Sequence, residues 1–337
     1  MEYKFRGFGD KASMRDSFME NVHYMMQNDD DMIILDTDLG SSIKTEDLAK
    51  RFGRYTADNN KGRVVSCGIS EQLMMAGAGG LAAEGYEVWA STFAMFAQRG
   101  GEPFLQGVAI PDYNVKLWLS HYGLGVGKDG STAQSMSDLG FWRSVPNVRG
   151  IITPADAEEA LQAAQYMHEN EGIYIARLTR NSVPSIFDKE YRLNGEGVIL
   201  LDESGSKDRR VTFISNGEMT HQALLASIPD NGQKYETLLE KGYGVRVVHM
   251  PFFPVNRKIL LEASENFDYI VTVEDHSIDG GLGDAVGSAM AEQGFIEARL
   301  CKVGLTSFAE SGEPQDLYEK YGLSGKRLAT SIPSLFV

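Results

Sequence analysis

The chain has 337 residues, 42% of them hydrophobic and 23% charged, with a formal net charge of −15. This length fits two or three domains rather than one, and the composition is that of a folded globular protein. The acidic balance argues against nucleic acid as the main partner; Cys67 and Cys301 cannot make a metal site alone and suggest a reducing compartment; no apolar run reaches the roughly 18 residues of a membrane span, and no secretory leader is seen, so a cytoplasmic location is expected.

Residues 1–12 are polar and glycine-containing and read as a loose arm. From 13 to 180 the pattern alternates strand and helix. Met14 to Gln27 carries Phe18, Val22, Met25 and Met26 at helical spacing. Met32 to Leu35 is a short apolar strand that ends in Asp36-Thr37-Asp38-Leu39-Gly40-Ser41-Ser42. Polar groups and glycine at the C-terminal end of such a strand are where parallel α/β sheets place ligands. Strands are expected at Arg63–Cys67, Val88–Ser91, Val115–Ser120, Gly150–Thr153 and Tyr174–Leu178. Helices are expected at Glu71–Glu84, Phe93–Gln106, Asp138–Arg143 and Asp156–Asn170. The helix from Glu71 is rich in alanine and glycine, which weakens it intrinsically but allows close packing. Residues 181–209 lose the rhythm and read as a linker. It resumes at 210–337, with strands at Val211–Ser215, Val245–Met250, Tyr269–Glu274 and Ala298–Gly304. Helices fall near His221–Ser227, Tyr235–Gly242, Arg257–Ala263 and Asp284–Gln293. The class is therefore α/β, with two domains, each a mainly parallel sheet with helices on both faces.

The chemistry-bearing residues cluster between Gly68 and Arg143. Gly68-Ile69-Ser70-Glu71-Gln72 opens a helix; alone it reads as a cap, with Ser70 at the N-cap and Glu71 favoured by the helix dipole. Phe93 and Phe96 share one helical face and by spacing alone suit a core. Gly127-Lys128-Asp129-Gly130 can be a plain turn, and His121 a structural histidine. Gly280-Gly281-Leu282-Gly283 is only a weak phosphate-loop pattern and reads as a helix entry.

Taken together, in order and spacing, the pieces are more specific. Gly68–Gln72, Ser91–Phe96, Gly125–Gln134, Arg143–Asn147 and Thr153–Glu158 resemble the pyrimidine-binding domain of transketolases. Val211–Gly217, Val245–Pro254 and Val273–Gly283 resemble the C-terminal domain of the same family. The length resembles the C-terminal subunit of a split transketolase. Such a resemblance implies a thiamin diphosphate domain pair that performs two-carbon ketol transfer in carbohydrate metabolism, from a ketose phosphate or modified ketose to an aldose. It also implies a partner, an N-terminal transketolase subunit that carries the diphosphate and Mg2+ site, and assembly into a heterotetramer. The family signature of that second site, Gly-Asp-Gly followed by Asn, is not found; Asp279–Asp284 comes near but has no Asn after it. No metal ligand is therefore expected from this chain.

The resemblance also assigns residues. Glu71 occupies the position of the carboxyl that shares a proton with N1′ of the cofactor's aminopyrimidine. Phe93 and Phe96 wall that ring, with Ile69 and Arg99 beside it. Arg99 replaces the aromatic residue of many transketolases; related deoxyxylulose-phosphate synthases carry Arg in a similar context. Arg15, Ser42, His121 and Arg180 match positions that bind a sugar's terminal phosphate, a task that suits forked cations. Asp129 matches a residue that contacts a donor hydroxyl. One departure stands out: the usual Thr-His-Gln of the Gly-rich loop is Thr132-Ala133-Gln134, which removes a histidine near the donor's oxygens. Two other readings of the resemblance are the beta subunit of a 2-oxoacid dehydrogenase and a non-catalytic assembly subunit. The Asp129 loop and Arg180 with Asn181-Ser182-Val183-Pro184 weigh against the first, and intact Glu71 against the second.

Overall fold

The structure is a computed structural model that describes residues 3–205, 207–230, 232–293 and 297–336. Met1 and Glu2 of the expected arm, and Ser206 of the expected linker, lie outside these residues. Two sheets carry the fold. The first has seven strands in the order 252–253, 148–152, 173–178, 115–120, 87–93, 32–36 and 64–66. All its pairings are parallel except that of Phe252–Phe253, which runs antiparallel to 148–152. The second has five, in the order 299–305, 269–277, 210–215, 244–249 and 198–203, with only the last antiparallel to its neighbour. Apolar strands such as Val115–Ser120 and Ile173–Leu178 are buried throughout, as sheets covered on both faces require.

Helices Met14–Asn28 and Ala157–Glu169 pack together over one face of the first sheet, with Phe18 of the first helix against Trp89 and Trp118 of the sheet. Helix Glu71–Ala83 covers the other face. A Cβ on its Gly79 would lie 2.2 Å from the Gly107 carbonyl oxygen, so the glycines read from the sequence do serve a close approach. No described helix is long and apolar enough to cross a membrane.

Several expectations differ from what is observed. The single helix expected at 93–106 is broken into Ala94–Ala97, a 3-10 turn Gln98–Gly100, Gly101–Phe104 and a π-helical turn Leu105–Ala109. The Gly100-Gly101 pair and Pro103, which has no N–H to donate, account for the break. Residues 235–242 form turns rather than a helix, while helices Thr45–Phe52, Pro314–Lys320 and Gly325–Ser331 were not expected. The arm is docked rather than loose. Tyr3 is buried against Phe187 and Tyr191, and Lys11–Ser13 pair with Ser182–Pro184. The stretch read as a linker supplies the strand Val198–Glu203, whose short apolar run is hidden between turn formers.

Candidate functional site

The strands of the first sheet end, at their C-terminal edge, in the loops that follow Asp36, Phe93, Ser120 and Leu178. This is the edge where an open parallel sheet presents ligand-binding loops. The sequence-selected residues lie along it in one continuous row.

Glu71 begins the row as the first residue of its helix, 4% exposed. Ser70 precedes it with an extended φ of −151° and makes no side-chain cap bond, so the expected serine cap is not formed. Ile69, in the same turn, is 78% exposed. Arg99 Nη1 stands 3.9 Å from Glu71 Oε2, and the same guanidinium lies 5.5 Å from the Phe96 ring centre. Phe96 and Phe93 stack at 5.3 Å and 16°. Phe93 in turn stacks on the His121 ring at 3.7 Å, also at 16°. Both phenylalanines therefore belong to the site's wall and not to the main core; with Ile43, Val126, Ala133 and Leu39 they form a small apolar cluster of their own.

His121 sits at a φ of 61°, in the left-handed region, which turns its ring back beneath Phe93. Its Nδ1 is 2.8 Å from Ser120 Oγ. Burial, and then the Arg15 and Arg180 guanidiniums, push its pKa down to about 3. This favours the neutral imidazole, which leaves Arg15 and Arg180 as the cations of the expected phosphate-binding set. Arg15 donates to the backbone carbonyls of Ser42 and Arg180. Ser42 thus meets Arg15 through its carbonyl, not its hydroxyl. Arg180 donates to the Val126 carbonyl at 2.8 Å and lies 3.4 Å from Asp129 Oδ1, with both side chains 40% exposed. All ten expected residues are therefore brought together. What they offer is a buried carboxyl, two stacked aromatic faces, a neutral imidazole and two guanidiniums.

The Gly-rich loop is held by residues not expected from the sequence. Asp275, at the end of strand Tyr269–Ser277, accepts from the N–H groups of Leu124 at 2.7 Å and Gly125 at 3.2 Å. Gly123 has a φ of 63°, and a Cβ there would lie 2.2 Å from Asp275 Cγ, so this position requires glycine. Tyr318 donates to Glu218 and approaches Asp275 Oδ2 at 3.1 Å. Behind the loop, Arg177 grips Asp138 through Nε at 2.6 Å and Nη2 at 3.2 Å, fully buried. Burial works against the Asp138 charge, but the Arg177 guanidinium outweighs it and holds the carboxyl below its usual range. A signal for these supports was present: an arginine within an apolar strand, and Glu274-Asp275-His276 in succession at a strand end.

Burial, reinforced by the Glu218 carboxylate against the loop's N–H bonds, raises the pKa of Asp275 to about 7. The folded state then binds a proton more tightly than the unfolded chain. This contribution to stability is complete below the ordinary aspartate value of about 4 and is lost as pH rises towards 7. Asp275→Asn is expected to flatten the fall in melting temperature over that window; an unchanged slope in a pH series of thermal unfolding would contradict the assignment.

One group of potential metal ligands occurs among the described residues, Asp29, Glu87 and His168. Glu87 begins its strand, at the end remote from the row. His168 Nδ1 lies 3.0 Å from Glu87 Oε1, which also accepts from Trp89 Nε1 at 2.7 Å, so these side chains are joined by hydrogen bonds.

Comparison with known proteins gives the family and the fold. Residues 10–185 match the family model for the transketolase pyrimidine binding domain, and residues 203–328 that for the transketolase C-terminal domain. A putative transketolase C-terminal section from Methanocaldococcus jannaschii is 33% identical, over 95% of each chain. Human transketolase is 29% identical over 97% of this chain but only 49% of its own length, so the chain spans about half of a full-length relative. Among solved structures, a split gene transketolase in the form of an inactive beta4 tetramer superposes with a TM-score of 0.80 at 32% identity, covering 96% of this chain and 97% of that one. The chain therefore belongs to the transketolase family, whose members are thiamin-diphosphate-dependent transferases, and is built from that family's pyrimidine-binding and C-terminal domains.

Proposed function

We propose that this chain is the C-terminal subunit of a two-chain ketol transferase, which moves a two-carbon unit from a ketose phosphate to an aldose. The observation that carries this reading is the unbroken row from Glu71 through Phe96, Phe93 and His121 to Arg15 and Arg180. A buried carboxyl beside two stacked aromatic faces fits an aminopyrimidine, which needs one strong hydrogen-bond partner and a flat apolar wall. Bound thiamin diphosphate supplies the electron sink that allows a C–C bond beside a carbonyl to break. Glu71 holds and returns a proton at the ring nitrogen N1′, and its burial keeps water from that exchange. Phe93 and Phe96 orient the ring. Arg180, half-exposed at the other end of the row, meets the sugar's phosphate, while Arg15 braces the Ser42 and Arg180 backbone that frames it. Asp129 faces a donor hydroxyl.

The diphosphate and Mg2+ are assigned to a partner chain, because the Gly-Asp-Gly signature is missing from this sequence. The solved relative built from beta chains alone is described as inactive, which supports the need for a second chain. The assembly is then a heterotetramer with two copies of each. Calorimetry tests this: thiamin diphosphate with Mg2+ should bind the mixture of this chain and its partner, and neither chain alone. Tight binding by this chain alone would contradict it.

Ala133 favours a second reading of the donor. It is 6% exposed and packed with Phe93, Val126 and Ile43, so this wall of the site is apolar. Such a wall suits a donor whose reacting end is a methyl ketone rather than a hydroxymethyl ketone. Ala133→His should raise kcat/KM on xylulose 5-phosphate about tenfold, the worth of one added hydrogen bond in the transition state. A variant no faster than the parent on that sugar would favour the apolar donor.

A further inference from the structure

A cavity of about 500 Å³ lies between the docked arm, the strand Ser182–Pro184 and helices Met219–Ser227 and Pro314–Lys320. None of the ten residues of the row lines it. Three buried polar side chains line it, Glu218 at 5%, His221 at 4% and Gln222 at 6% exposure. His221 Nε2 lies 2.8 Å from the Ala155 carbonyl oxygen. A carbonyl can only accept, so Nε2 carries the hydrogen and Nδ1 presents a lone pair. That Nδ1 is buried and has no partner among the described residues. A buried acceptor left unpaired is costly, and such groups are normally satisfied.

The surroundings narrow what would satisfy it. Glu218 already accepts from Tyr318 and Asn181, so it adds negative charge and offers no donor. Asp230 adds a second carboxylate at the lining, against one ammonium from Lys11. The Phe8 ring lies over His221 at 5.9 Å and 19°, and Val183, Pro184 and Leu225 complete apolar walls. The Gln222 amide, whose oxygen accepts from the Gly325 N–H, adds a neutral donor group, but the excess of carboxylate and the apolar carbon around it disfavour an anion. They favour an N–H donor on a compact apolar body.

We propose that this cavity is a second small-molecule site, separate from the row, that takes a compact organic amine or amidine with its N–H on His221 Nδ1. Benzamidine is the probe, and benzoate, of the same shape with the opposite charge, is the control. Titration calorimetry on the full chain should show one benzamidine site and no benzoate binding. Leu225→Trp, which fills the cavity from its helix, should abolish the signal while the far-UV spectrum and melting stay those of a folded protein. His221→Leu should weaken binding about tenfold. The proposal is overturned if benzamidine does not bind, if benzoate binds as well, if Leu225→Trp binds unchanged, or if a folded His221→Leu variant keeps full affinity.

Discussion

Glu71→Ala is expected to reduce ketol transfer by the two-chain complex by about 10²–10³-fold, within the range of a lost acid–base group. The side chain is 5% exposed and is approached by the Arg99 guanidinium at 3.9 Å. Its structural worth is limited to favouring a helix N-terminus, about 0.3–1 kcal/mol. The melting temperature should therefore barely move while turnover collapses. Glu71→Gln should fail nearly as badly, since an amide of the same shape cannot exchange a proton. Steady-state rates of both variants, with melting curves as the control, decide the matter. Retention of a tenth of the parent rate would show that Glu71 is only a helix-starting residue.

Arg180→Ala carries the second large effect. The guanidinium is held by the Val126 carbonyl and lies beside Asp129, with much of its surface free to meet an anion. Charge-assisted bonds to a phosphate dianion exceed neutral ones, so KM for a phosphorylated donor should rise ~10–100-fold. An unphosphorylated ketose should be used about as well as before. This split separates phosphate recognition from a general loss of structure: an equal loss on both donors would assign Arg180 to holding the loop instead.

Much of the first sheet was legible because its strands are apolar runs bounded by turn residues, as in Met32–Asp36 and Val115–Ser120. Local breaks were less so. The helix expected at 93–106 obeys helical spacing, but Gly100, Gly101 and Pro103 cut it into short turns. The edge strand Phe252–Phe253 has two residues, too few to leave any period, and its partner lies about a hundred residues earlier in the chain. For the site, each of Glu71, Phe93 and His121 had an ordinary explanation on its own, and only their joint order resembled a family. The charge state of His121 was not legible, because it depends on burial beneath Phe93 and on two arginines distant in sequence. Asp275 was missed for the same reason: it holds the loop across 151 residues of chain, a separation over which spacing carries no information.

Shared catalysis between two chains can be read from a turnover titration. This chain is held at fixed concentration with thiamin diphosphate, Mg2+, xylulose 5-phosphate and ribose 5-phosphate, and the partner carrying the Gly-Asp-Gly signature is added stepwise. No ketol transfer is expected at the start, then a rise that saturates at one partner per chain. Turnover by this chain alone, or a rate that grows with the partner without saturating at that ratio, would contradict it.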